Sequence, residues 1–240
     1  MAKRVSLFKV LRRELDSQIS AEGFTEIPLA ASERTSMLMY FRDSSRGKSL
    51  GFWFQRDVKS IYVDALGSSF TIEFFRTGYY GGKGARLMSK VGPIEGKTQE
   101  TPQPGEKNLH ECRWETSYTL TIPPDWLSGV YLGRLATIPA HENEPYWQSY
   151  VIFVVIDDRP ADVLFQVSDN TWQAYNQWPS KYSVYTDPKG NQGPWADVSF
   201  DRPYGREAQF TSVVDDPLTI GAGEYLPLEF PLAYWLEQHG

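Results

Sequence analysis

Hydrophobic positions along the chain change their period twice. Near the start Val5, Phe8, Leu11, Leu15 and Ile19 recur at helical spacing, which predicts an amphipathic helix. From about residue 48 the pattern turns into short runs rich in β-branched and aromatic residues, "LGFWFQ", "KSIYVDA", "SSFTIEFFRTG", "SYTLTIP", "GVYLGRLAT" and "SYVIFVVID". These read as strands. In "SYTLTIP" the apolar Tyr118, Leu120 and Ile122 alternate with Thr119 and Thr121, as a half-solvated antiparallel strand requires. A β-sandwich over residues 48–157 is expected, preceded by a helical and polar extension over 1–47.

After "DDRP" the pattern changes again, and a second domain is expected over 158–240. The apolar run Val163 to Val167 predicts a buried strand. At the far end "PLEFPLAYWLEQHG" predicts a helix with Pro231 in its first turn, an apolar stripe of Leu232, Trp235 and Leu236, and Gly240 at its C-terminus. One strand and one helix expose more apolar surface than they can hide. The expectation is therefore the start of an α/β domain, with the chain ending inside it.

Composition narrows the function classes. A formal charge of -6 without a dense basic stripe argues against nucleic acid as a partner. Cys112 is alone, so neither an intrachain disulfide nor a C-x-x-C pair can form, and a reducing, cytoplasmic setting is expected. Charges interrupt the apolar residues at the N-terminus, so no signal peptide is expected, and no apolar run approaches membrane-spanning length. The sequence lacks G-x-S-x-G, H-E-x-x-H, G-x-x-x-x-G-K-[ST] and a G-x-G-x-x-G placed at a strand-to-helix turn. "GYYGGKGAR" reads as a glycine-rich turn between strands. His110, His141 and His239 are scattered, which predicts neither a Ser-His-Asp nor a histidine-rich zinc site.

The densest chemistry lies in "NTWQAYNQWPSKYSVY", residues 170–185, with three tyrosines and two tryptophans. These aromatics could be core, a stacking surface or ligands of a hard metal ion. Asp169, Asn170 and Asp201 read as turn or cap residues, and Arg202 as the partner of Asp201.

Four segments, "FRTGYYGGKGARLM", "TIPPDWLSGVYLGRL", "ADVLFQVSDNTWQAYNQW" and "VSFDRPYG", together resemble the N,N-dimethylformamidase large-subunit family, in its order, from about Ile61 to Gly240. The resemblance implies a β-sandwich followed by an α/β domain similar to glutamine amidotransferases. It also implies a mononuclear ferric iron held by two tyrosines and a glutamate, and hydrolysis of a small amide. Carried over residue by residue, "TWQAY" points to Tyr175 as the first tyrosine and "SVYTD" to Tyr185 as the second, with Tyr182 and Tyr204 as rivals. Trp172 and Asn176 are candidate substrate contacts. The glutamate belongs to a His-x-Glu-Tyr-Trp-like motif that these 240 residues do not contain, and "GEYL" at Glu224 lacks its histidine and tryptophan. That absence implies an incomplete, inactive amidase portion; whether the chain forms an oligomer stays open.

The chemistry is coherent. A free phenol has a pKa of about 10 and becomes a good ligand only when a strongly Lewis-acidic cation displaces its proton. Two phenolates and a carboxylate offset three charges and leave positions open on the metal for an amide and a water. The alternative is a non-enzymatic sandwich that presents its aromatics to a carbohydrate or protein partner.

Overall fold

A computed structural model describes residues 24–26, 39–42, 50–51, 58–61, 63–65, 69–139, 148–157, 159, 161–205 and 220–240. The helix expected at the N-terminus lies outside them. The described strands are β1 (Phe24–Glu26), β2 (Met39–Arg42), β3 (Leu50–Gly51), β4 (Val58–Ile61), β5 (Phe70–Thr77), β6 (Ala85–Ile94), β7 (Tyr118–Thr121), β8 (Gly129–Thr137) and β9 (Gln148–Val155). The α-helices are α1 (Asp169–Tyr175) and α2 (Phe230–His239). The β-rich, antiparallel character expected from the sequence is present: β1, β2 and β3 form one sheet, β4 pairs with β7, and the largest sheet has the order β6-β5-β8-β9.

Alternation decides how that largest sheet is used. Along β5 the side chains of Phe70, Ile72 and Phe74 are buried at intervals of two, as the pleat of a one-sided strand dictates. Phe74 meets Phe153 edge-on at 6.3 Å, Tyr131 stacks on Phe153 at 5.6 Å, and Tyr118 lies 6.2 Å from Phe74. On the other face Glu73 stands directly opposite Lys90 of β6 and Arg134 of β8. It is ion-paired to both, so charge reinforces the register on each side. In β7 the expected face is confirmed, with Leu120 and Ile122 buried and Thr119 and Thr121 exposed.

Contacts divide the chain into two compact units, one of residues 1–59, 120–129 and 154–166, the other of 60–119, 130–153 and 167–240. In the first, Asp157 accepts from the Ser128 amide at 2.7 Å and is ion-paired to Arg159. In the second, residues on either side of the expected boundary at 158 are joined, since the Tyr150 amide donates to the Ile220 carbonyl at 2.8 Å.

The expected strand at Val163 to Val167 is not formed. A strand exists only through a ladder, and this segment has no ladder partner among the described residues; Val163 and Leu164 are 61% and 56% exposed. Among the described residues after 157 the structure shows two α-helices and a single bridge, between Thr186 and Gln192.

Helix α2 begins with Pro231 in its first turn and ends at Gly240 with φ +102°, as expected. Its docked face differs from the expected stripe. Leu232 and Trp235 are both 53% exposed, while Phe230, Tyr234 and Glu237 pack towards the turn between β5 and β6. A Cβ on Gly84 would lie 3.3 Å from the Phe230 ring, and the backbone there has φ +79°, so glycine fits on both counts.

Candidate functional site

Helix α1 and the loop after it carry the aromatic stretch. At the N-terminus of α1 the Glu229 carboxylate accepts from the Ser168 amide at 3.1 Å and from Trp172 Nε1 at 3.1 Å. A negative group at that end satisfies an orphan amide and complements the helix dipole. At the C-terminus Arg202 does the opposite job. Its guanidinium donates to the carbonyls of Gln173, Asn176 and Trp178 at 2.9, 3.0 and 2.9 Å and to Gln173 Oε1 at 3.0 Å. Arg202 therefore engages the carbonyl end of the helix, which replaces the expected pairing with Asp201. Burial lowers its pKa to about 10, so it remains a cation at neutral pH.

Asn176 binds the same junction from within. Fully buried, it donates through Nδ2 to Gln173 Oε1 and the Pro203 carbonyl at 3.1 and 2.9 Å, and its Oδ1 accepts from the Trp178 amide at 3.1 Å. Trp172 is 2% exposed and packs on Tyr204 at 5.9 Å and Tyr225 at 6.5 Å. A Cβ on Gly223 would fall 2.6 Å from the Trp172 ring, so the chain passes there only as glycine. Both candidate substrate contacts are thus held inside the protein, with polar atoms on protein partners.

Tyr175 and Tyr185 are brought together. The Val184 amide donates to the Ala174 carbonyl at 3.1 Å, tying the loop to the last turn of α1. Ser183, 1% exposed, accepts at Oγ from the amides of Tyr185 and Thr186, both at 3.0 Å, and fixes the turn that presents Tyr185. The ring centroids of Tyr175 and Tyr185 are 4.5 Å apart with planes at 37°, and the residues are 37% and 40% exposed. Two neighbouring phenols with open rims can offer two oxygen donors to a hard cation. Tyr204 is placed differently: its ring is packed against Trp172, and burial, aided by the Asp169 charge, pushes its hydroxyl well above the usual phenol range. Such a phenol resists ionisation.

Among the described residues no group of three or more His, Cys, Asp or Glu side chains could hold a metal ion. Cys112 is a hindered thiol, with burial raising its pKa to about 11. One juxtaposition had no signal in the sequence: Ser180 Oγ lies 3.1 Å from His110 Nε2, across 70 residues. Among the described residues no helix is long and apolar enough to cross a membrane.

Against known proteins, no curated sequence and no solved structure gives a significant match. A family match does exist, and it covers β5 to α2 with the whole Tyr175–Tyr185 arrangement inside it. The family described as N,N-dimethylformamidase beta subunit-like, C-terminal, matches residues 71–240. With well over half of its length matched, the chain belongs to the N,N-dimethylformamidase beta subunit-like family.

Proposed function

We propose that the chain contributes to an iron-dependent hydrolase of small amides, with Tyr175 and Tyr185 as phenolate ligands. The observation that carries this reading is the pairing of the two rings at 4.5 Å on the family-matched helix and loop. Bound ferric iron would supply Lewis acidity, polarising an amide carbonyl and making a bound water nucleophilic. The chain's own residues set the geometry. Ser183 and the Val184 amide position Tyr185, while Asn176 and Arg202 hold the end of α1 that bears Tyr175. Trp172 and Asn176 serve best as structural supports of α1 and its end, given their burial.

The finer parts of this reading rest on the sequence alone: a sandwich over 48–157, an α/β domain from 158 and a cytoplasmic setting on its pattern and composition, and a third ligand, the glutamate of a motif these residues lack, on the resemblance. Iron affinity of the 240-residue chain is expected to be low for that reason. Ferric titration followed by absorption spectroscopy tests the pair. A phenolate-to-iron charge-transfer band that weakens in Tyr175→Phe and Tyr185→Phe, and persists in Tyr182→Phe, is the expected result. Iron uptake with no such band, or a band indifferent to both changes, would remove the pair from the site. Tyr→Phe keeps the ring, so a surface that merely stacks ligands would be unaffected.

A further inference from the structure

Residues 97–115 double back around the short turn Glu106–Asn108, and a cleft of about 990 Å³ is lined wholly by this stretch. Its two legs are locked at their base. Gln99 accepts from the Glu115 amide through Oε1 at 2.7 Å and donates through Nε2 to the Glu115 carbonyl at 3.0 Å, while Lys97 is ion-paired to Glu115 at 2.7 Å. At the turn the Gly105 amide donates to the Leu109 carbonyl at 2.8 Å. Behind it the second leg is tied to the rest of its unit, the Cys112 amide donating to the Asp201 carbonyl at 2.6 Å and Asn108 Nδ2 to the Trp195 carbonyl at 2.9 Å. The cleft is therefore formed in advance, and a ligand would not have to order its walls.

The lining has a definite chemistry. Along the second leg exposure alternates, with Glu111, Arg113 and Glu115 exposed and Cys112 and Trp114 half-buried. Trp114 reaches across to the first leg, where its Nε1 donates to the Glu100 carbonyl at 2.7 Å, and its ring meets Trp178 edge-on at 6.0 Å. Its one polar atom is thus engaged by the protein, and what it offers the cleft is indole surface. Around it stand the carboxylates of Glu100 and Glu111, the guanidinium of Arg113, the amide of Gln103 and the hydroxyl of Thr101. Among the described residues these five side chains bond to no protein group. On a convex surface they would be a solvated polar face; gathered in a cleft around an indole they form a recognition set.

Charge and size then select the ligand. Lys97 is offset by Glu115, which leaves Arg113 beside two carboxylates. An anion would meet Glu100 and Glu111, a cation would meet Arg113, and an apolar molecule would strand all three. A neutral polyol suits every group: its hydroxyls donate to the carboxylates and accept from the guanidinium and amide, and a sugar ring lays its C–H face on the indole. The volume stands at the upper end of the roughly 300–1,000 Å³ range of small-molecule sites, enough for more than one ring. We propose that this cleft binds a neutral oligosaccharide, at a site separate from Tyr175 and Tyr185, neither of which lines it.

The test titrates the 240-residue chain with cellohexaose, maltohexaose and xylohexaose by isothermal calorimetry, with choline as a cationic probe. Saturable binding of at least one hexasaccharide is expected, with none of choline. Trp114→Ala should weaken it about tenfold by removing the stacking surface. Glu111→Ala should weaken it about fivefold by removing a charged acceptor. Glu111 is exposed and bonds to no protein group, so this variant keeps the test decisive should Trp114→Ala fail to fold. No saturable binding of any of the three sugars would overturn the proposal. So would sugar affinity unchanged in Glu111→Ala, or choline binding more tightly than the sugars.

Discussion

Arg76 Nη2 lies 2.6 Å from Glu237 Oε1, joining the end of β5 to α2 across 161 residues of sequence. The same carboxylate accepts from the Tyr79 amide through Oε2 at 3.3 Å, and the same guanidinium donates to Tyr80 Oη at 2.8 Å. Burial would lower the Arg76 pKa, but the bonds to Glu237 and Tyr80 outweigh it and hold the group above its usual value. Arg76 is charged at every working pH.

This clasp should govern whether α2 stays docked. Glu237→Gln removes the charge and keeps the shape, with an expected loss of about 1–2 kcal/mol, since the carboxylate is partly open to solvent. Gly78→Ala should do at least as much damage. A Cβ there would sit 1.9 Å from Glu237 Oε2, and φ is +156°. Denaturant melts of both variants check this; stability equal to the unaltered chain in both would show that the clasp is ornamental.

Arg202 is the second cation whose removal should be felt. Arg202→Met keeps much of the volume but leaves the carbonyls of Gln173, Asn176 and Trp178 without their donor. A loss of about 3 kcal/mol is expected, with faster proteolysis between residues 176 and 205. Arg202→Lys should recover only part of this, because one ammonium cannot reproduce the planar fork.

Much of the sheet was legible because pleat alternation is a local property: Leu120 and Ile122, or Phe70, Ile72 and Phe74, announce their face without reference to any partner. Pro231 and Gly240 marked the ends of α2 for the same reason. What failed was long-range. Val163 to Val167 looks apolar enough for a strand, yet strand formation depends on a neighbour that no local pattern specifies. The docked face of α2 was misread because it carries a charged residue, Glu237, paired with Arg76. At the candidate site the family resemblance singled out Tyr175 and Tyr185, and the structure sets them side by side. Arg202 and Glu229 were missed as the caps of α1, since each lies 26 or more residues from its main-chain partner at Asn176 or Ser168. Nothing local in the sequence encodes such a contact.

Ser183 offers a way to loosen Tyr185 without touching its ring. Its buried Oγ accepts two amides and meets Thr186 Oγ1 at 3.0 Å. Ser183→Ala should cost about 1–3 kcal/mol by stranding those donors. It should also weaken the ferric charge-transfer band while leaving both tyrosines in place. A destabilised protein with an unchanged band would separate the turn from the metal site.

The last prediction concerns acid. Hydrogen bonds first from Lys90 and then from Arg134 hold the Glu73 carboxyl below its ordinary value of 4.5. The unfolded chain therefore binds this proton more readily than the folded one. Stabilisation by Glu73 is complete above about pH 4.5 and is lost as pH falls through the lower, folded-state value. Cross-strand ion pairs of this kind contribute a few tenths to about 1 kcal/mol each. Glu73→Gln should thus lower the melting temperature at pH 7 and converge with the unaltered chain as pH falls through that folded-state value, below which both side chains are neutral. Salt should shrink the difference at pH 7, because the pair faces solvent at Lys90. A gap between the two melting curves that is constant from pH 7 to pH 3 would show that residue 73 acts through packing in the sheet, with the charges of Lys90 and Arg134 irrelevant to it.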